Sequence, residues 1–472
     1  MDFGGRSNDE RESHPIASSA FHCGGEAVKN SRRRLAHVGL CLGAVVLSVA
    51  VFTLVFGGAI LNGYGKWKVE RAFAKTHPGC ALRLGELNYS VAANRLVAQA
   101  VTLSATNSTL KVGQVVLTGV RLASLLWGTA SYAELLAKAS VEATNLDWEF
   151  PQAHYVIHCA RLQASVPASE LTAEGTELRT LVEDEEFFAT HQYRATRFHV
   201  VVPECRVSGL AYGELLQGKS WRARLVRFTQ PSFDALVNRD KPEEPLVKPP
   251  LMVHEALATI RQPLQIDSLS ITNGHATYRE RVVARADPGV LTFGAVNISA
   301  EGISNQGDAS AAILLRAQGD LMNAGVLKLQ MSIPITPSDF SLHYSGSLSA
   351  MDLTRLNAFL DIAERTRIKS GHAQEAEFDI DVSAGRASGR VRAIYQHLQI
   401  AVLDQQTDTA KGMRNRVASF LTNTLKIRSS NGPDTWRSIK EGKVNYSRTP
   451  GDEFIQFEWF ALRTGVLDVI TN

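Results

Sequence analysis

Four consecutive acids, Glu183-Asp184-Glu185-Glu186, followed by His191, are the densest group of candidate metal or acid–base side chains in this 472-residue chain. Consecutive carboxylates on a regular backbone point in different directions, and no calcium-loop spacing surrounds them, so the cluster reads as a solvated loop. His275, His343 and His397 each stand alone in strand-like segments. Asp404, with Gln405 and Gln406, reads as a turn at a strand end. The five cysteines (Cys23, Cys41, Cys80, Cys159, Cys205) form no CxxC and no zinc spacing with histidine, leaving either one bridge among the last three or buried free thiols. There is no GxSxG, HExxH, Walker loop or GxGxxG in a strand–helix setting. No catalytic residue, metal ligand or cofactor site is expected, and an enzyme is disfavoured.

The elements around these residues are more informative. Leu35 to Gly65 is a run of 31 residues without Asp, Glu, Lys or Arg. At ~1.5 Å per helical residue, such a run spans a hydrocarbon core of ~30 Å. Its long polar leader and the lack of a small-residue cleavage site predict an uncleaved signal anchor. Arg32, Arg33 and Arg34 precede it; Lys66, Lys68 and Arg71 follow, so flanking charge leans only slightly towards an inside N-terminus. Residues 1–34 are expected to be a disordered cytoplasmic tail, and Tyr64 and Trp67 to sit at the far interface. The net charge of +3 and the 7% aromatic content argue against a nucleic-acid partner. The sequons at Asn88, Asn107, Asn297 and Asn445 matter only in a eukaryotic secretory pathway.

Beyond Lys66 the pattern becomes alternating. Leu327, Leu329, Met331, Ile333 and Ile335 alternate with polar residues and Pro334, and Phe378, Ile380 and Val382 with acids. Period two predicts half-buried antiparallel strands. Thr272-Asn273-Gly274, Ala384-Gly385 and Asn431-Gly432-Pro433 are turn signals. Lys66–His77 and Leu353–Arg367 are the helical stretches. Gly119–Gly128 echoes Gly209–Gly218, each with a Leu-Leu pair placed to start a short helical turn. Arg239–Pro250, with four prolines, is a linker or edge crossing that divides two β lobes, 66–249 and 250–472. Strands of ~6 residues would number on the order of 25–30 over this length. So many strands require several sheets, a barrel series or one long coiled sheet. Its apolar face either packs on itself or encloses acyl chains.

The order of these segments resembles the AsmA-like proteins of Gram-negative envelopes. Pro263–Arg281 looks like that family's strand–turn–strand ending in Tyr-x-Glu-Arg, with Tyr278, Glu280 and Arg281 in place. Gly289–Glu301 follows as the next strand pair. Leu356, Asn357, Ile368, Ser370 and Gly371 fit its Leu-Asn-helix-Ile-x-Ser-Gly element. Gly385–Leu403 resembles the C-terminal hairpin, and Phe420–Asn431 and Gly442–Arg448 complete the order.

The resemblance implies a mainly β fold: a long curved antiparallel sheet forming a taco-like groove in two lobes, with one N-terminal transmembrane helix and a few short helices. It also implies an inner-membrane anchor, a periplasmic body, phospholipid transfer and outer-membrane homeostasis. Leu327, Leu329, Met331, Ile333, Phe378 and Ile380 are then the candidates to line the lipid groove, and Lys66, Lys68 and Arg71 to meet head groups at its mouth. The expected partners are membrane phospholipids and, in the competing reading of an anchored scaffold, other envelope proteins. At ~4.8 Å per strand, even 25–30 strands reach only ~120–140 Å.

Overall fold

A computed structural model describes residues 63, 66–90, 93–119, 137–245, 249–307, 311–335, 339–403, 427–433 and 438–471. The expected tail and anchor, the Leu125-Leu126 half of the echo, and Asp404 to Gln406 lie outside the described residues. Among the described residues, no helix is long and apolar enough to cross a membrane.

The described residues build one sheet of 19 strands. Helix α1 (Lys66–Thr76) precedes β1 (Cys80–Arg83), β2 (Glu86–Ser90), β3 (Arg95–Ala105), β4 (Ser108–Thr118), β5 (Ser140–Phe150), β6 (Tyr155–Ser165) and β7 (Glu170–Thr180). Then come α2 (Asp184–Thr190), β8 (Ala195–Ser208), α3 (Tyr212–Leu216), β9 (Trp221–Thr229) and β10 (Ser232–Asn238). After the proline-rich linker follow α4 (Val253–Ala258), β11 (Leu264–Arg281), β12 (Gly289–Ser304), β13 (Ala312–Leu321), β14 (Gly325–Pro334), β15 (Leu342–Leu348) and β16 (Met351–Asp352). Helix α5 (Asn357–Ala363), β17 (Thr366–Ser383), β18 (Arg386–Val402), β19 (Glu441–Ser447) and α6 (Phe454–Ile470) complete the order. The strands are fewer and longer than expected, up to 18 residues each, because several apparent turns do not reverse the chain.

Strands follow one another in space as in sequence. Three pairs (β1 with β2, β9 with β10, β15 with β16) are single strands interrupted by an irregularity, each pair sharing a common neighbour. Among the described residues all pairings of named strands are antiparallel except two: β11 runs parallel to β9 and then to β10 at one register, from Leu264↔Trp221 to Arg281↔Asn238. The linker is therefore a crossover between parallel neighbours, and the sheet continues across it. Proline suits this segment because no ladder N–H is needed there.

A second feature crosses most of the sheet. The register skips Ala100 opposite Gly113, Asn145 opposite Gly113 and Ala160, and Gly175 opposite Ala160 and Pro203. The same line continues through Gln230, Asn273 and Ala295. Ala100, Asn145, Gly175, Gln230, Asn273 and Ala295 have φ of 49°, 52°, 60°, 49°, 50° and 45°. Aligned irregularities of this kind form a crease, at which the residues facing the core change parity. On β3, Leu96 and Ala98 before the crease, and Val101 and Leu103 after it, all join one core cluster. Asn273-Gly274, expected to be a hairpin turn, is part of this crease, so Pro263–Arg281 contains one strand rather than two. Likewise Gly289–Glu301 lies within the single strand β12. Ala384-Gly385 does turn the chain, between β17 and β18.

Helices close both ends. Phe73 of α1 is fully buried against β1–β4, while Phe457, Ala461 and Val469 of α6 are buried over the last strands. Helix α6 also guards the sheet's edge: Asp468 Oδ2 accepts from Lys443 N at 2.7 Å, and Thr464 Oγ1 from Asn445 N at 3.2 Å. These edge donors are thus unavailable to another chain's strand.

Candidate functional site

Directly paired residues of neighbouring strands share a face, so the register traces the faces across the whole sheet. One file runs Leu96–Leu117–Val141–Ala164–Leu171–Val207–Val226–Leu269–Ala300–Leu315–Met331–Tyr344–Ile380–Gly389–Val444. A second, two residues away, runs Ala98–Val115–Ala143–Leu162–Ala173–Cys205–Phe228–Ile271–Ile298–Ala317–Leu329–Gly346–Phe378–Val391–Gly442. Beyond the crease, Leu103–Leu110–Trp148–Ile157–Leu178–Val200–Phe233–Ala276–Phe293–Leu321 forms a third. None of these positions holds a charge. The neighbouring file on the opposite face, Gln163–Thr172–Arg206–Arg227–Ser270–Ser299–Arg316–Gln330–Ser345–Asp379–Arg390–Lys443, is polar throughout.

Cover over the apolar face is uneven. At the first strands Leu96, Leu103 and Leu117 are buried; at the last, Met331, Tyr344, Ile380 and Val391 are. Between β5 and β11, Val141, Leu162, Leu171, Leu178, Val200, Val207, Val226, Phe228 and Leu269 are only partly covered. Phe233 is 42% exposed, its ring centroid 5.9 Å from that of the exposed Phe198. This middle stretch is only partly covered among the described residues: Val141 and Leu162 pack at one side of it on the first core cluster and Leu269 at the other on the second.

The six expected groove residues lie on this face, but the structure divides them. Met331, Ile333 and Ile380 are core, whereas Leu327, Leu329 and Phe378 are half-buried. The open strands between β5 and β11 were missed because the parity change at the crease interrupts their alternation. The recoverable signal was Asn145, Gly175 and Asn273, residue types that tolerate positive φ within otherwise alternating runs. Of the expected head-group residues, Lys66 Nζ donates to the Gly85 carbonyl, and Arg71 lies exposed with its guanidinium 5.0 Å from the Trp67 ring centre. The side chain of Lys68 lies outside the described residues.

The acidic cluster is a helix start, not a solvated loop. Asp184 Oδ1 accepts from Arg197 Nε at 2.8 Å and Glu185 Oε1 from Arg281 Nη1 at 2.6 Å. Arg197 also donates to Asp234 at 2.6 Å, and Arg279 donates to the same carboxylate. Burial opposes the Asp234 charge, but the two guanidiniums hold its carboxyl below the ordinary range. Negative residues in a helix's first turn also suit its dipole. These acids lock α2 onto the polar face of β8–β11, leaving them engaged with arginine. On the apolar side, the Tyr-x-Glu-Arg positions place Tyr278 Oη 2.9 Å from Glu280 Oε2, and Glu280 Oε1 meets Arg239 at 2.8 Å. Burial raises the Glu280 carboxyl despite Arg239.

His343 Nδ1 lies 2.9 Å from Asp381 Oδ1, with Asp379 near, as an exposed cross-strand group on the polar face. His275 Nε2 is 3.2 Å from Thr277 Oγ1. Cys80, Cys159 and Cys205 are free thiols; the other two cysteines lie outside the described residues. A half-open pocket of about 270 Å³ near Ser140 and Glu170 mixes polar with apolar lining. No family model and no curated protein matches this chain.

Proposed function

We propose that this chain is a membrane-anchored lipid-binding protein whose sheet carries acyl chains along its apolar face. The observation that supports this reading most strongly is the pair of uncharged files traced from β3 to β19 without interruption at the linker. The middle of this face is only partly covered among the described residues. The crease crosses the strands from β3 to β12, which would fold that part of the face into the two walls of a groove. From β5 to β11 there are five strand spacings, about 24 Å. One leaflet of a ~30 Å hydrocarbon core needs about half that depth, so the open stretch accommodates an acyl chain lying across the strands. Each methylene withdrawn from water contributes ~0.8 kcal/mol, so transfer requires no chemical step.

The Leu35–Gly65 run would hold the α1 end of the sheet at the bilayer, where Arg71 and Trp67 suit an interfacial position. With the AsmA-like resemblance, this supports an inner-membrane anchor, a periplasmic body and a part in phospholipid transfer and outer-membrane homeostasis. The sixteen strand positions span about 72 Å, so the sheet alone is a segment of a path rather than a bridge between distant membranes. An anchored scaffold would need a dry interior throughout. The C-terminal strands fit that description, but the half-covered middle strands do not.

Organic extraction of the purified full-length protein, followed by mass spectrometry, tests the proposal. Phospholipid should be recovered in amounts comparable to the protein. A chain that is consistently free of lipid would refute transport and leave the scaffold.

A further inference from the structure

Helix α6 lies on the same apolar files that stand open in the middle of the sheet. Val391 and Val444 belong to those files, and both approach Gly465: a Cβ built there would meet Val391 Cγ2 at 2.5 Å and Val444 Cγ2 at 2.8 Å. Tyr344, another member, donates its hydroxyl to the main-chain carbonyl of Glu458 at 3.1 Å. The Phe457 ring packs 5.0 Å from Phe340 and 5.5 Å from Tyr446. The chain's own last helix thus fills the space over the final strands that a lipid tail would fill elsewhere.

The helix fits this berth imperfectly. Glu458 is 8% exposed, and neither carboxylate oxygen has a hydrogen-bond partner. A carboxyl buried without partners is costly in any protonation state, and more so when ionised. The outer side of the helix is also apolar, with Ile455, Trp459 and Val466 exposed at 80%, 48% and 38%. A short connection, residues 448–453, joins it to β19, and its far end is held by the Ile427↔Thr471 bridge, by Arg428 N donating to the Ile470 carbonyl at 2.8 Å, and by the β19 edge contacts of Thr464 and Asp468. A helix with a frustrated buried acid, lying over the strands and outside their order, can lift without breaking the strand pairing beneath it.

We propose that the surface beneath α6, centred on Tyr344, Ile380, Val391 and Val444, is a second acyl-chain subsite, continuous with the open stretch and held closed by α6. The subsite rests on the lipid-binding reading above and deepens it: acyl chains entering the middle of the sheet reach its last strands only when α6 lifts. Close helix–sheet contact at Gly465 makes this residue the lever, because any side chain there pushes the helix off the valines.

The test places a diazirine-bearing phenylalanine at Phe233 or at Tyr344 in the full-length chain within native membranes, with and without Gly465→Leu. In the otherwise unaltered chain, lipid adducts should form at position 233 and stay at background at 344. With Gly465→Leu, adducts at 344 should rise to the level seen at 233, those at 233 staying unchanged. Hydrogen exchange of β15 and β17–β19 should remain slow, showing that the sheet persists; if Gly465→Leu disturbs it, Gly465→Ala applies the same push more gently. Lipid at 233 but none at 344 with the helix displaced and the sheet intact would overturn the subsite. Equal adducts at 344 with α6 unaltered would overturn its closure. Absence of lipid at 233 would instead remove the lipid-binding reading itself.

Discussion

Phe233→Glu is expected to strip lipid from the protein while leaving the sheet folded. Phe233 is 42% exposed in the uncovered middle of the face, so a carboxylate there remains hydrated when no lipid is bound. With an acyl chain against it, the same charge must be desolvated or displace the chain. Placing a charge within hydrocarbon costs ~2.5 kcal/mol or more, on the order of a 60-fold loss of bound lipid. Extraction and mass spectrometry read the loss, and circular dichroism reads the fold. The matched control is Thr172→Glu on the polar face of β7, which should retain lipid. Equal retention by both variants would show that the open face is not where lipid binds.

The second large effect concerns Glu458. Burial pushes its carboxyl up to about 8. In the unfolded chain the group titrates near its ordinary value, so between pH 4.5 and 8 the native state holds a proton that the unfolded state has released. Stability contributed by keeping this acid neutral is present in full at low pH, falls as pH rises through that window, and levels off above it. The total is on the order of 4–5 kcal/mol. Glu458→Gln should therefore match the parent near pH 4 and exceed it increasingly up to pH 8. Denaturant unfolding across this range measures the difference. A constant difference at all pH values would show that Glu458 is ionised or solvated in the folded chain.

The β character and several individual elements were legible because period-two alternation is a direct imprint of one-sided burial. The run from Leu327 to Ile335 and the Ala384-Gly385 hairpin were readable in this way. Helix α1 was legible from its amphipathic spacing, and Leu353–Arg367 held a shorter helix preceded by one 3-10 turn, with β17 already beginning at Thr366. The crease was not legible. Asn273-Gly274 has the composition of a hairpin turn, and only the parallel partner strands on one side keep the chain extended through it. Nor was α6: its 17 residues are apolar almost all round, which fits a helix lying on one apolar surface and presenting another outward. The site was half legible. Burial is decided by what lies over a face, and alternation reports the face but not its cover. Thus Ile380 and Leu171 share a file, yet one is sealed and the other only partly covered.

Site-by-site photocrosslinking in native membranes tests the continuous apolar face most directly. Probes would replace Leu171 and Thr172 on β7, Val226 and Arg227 on β9, and Leu269 and Ser270 on β11, one at a time. The expected pattern has period two: lipid adducts at Leu171, Val226 and Leu269, background at Thr172, Arg227 and Ser270, with no drop between β9 and β11. Lipid at both parities alike, adducts to protein only, or a signal that stops at the parallel junction would contradict a single lipid-bearing face.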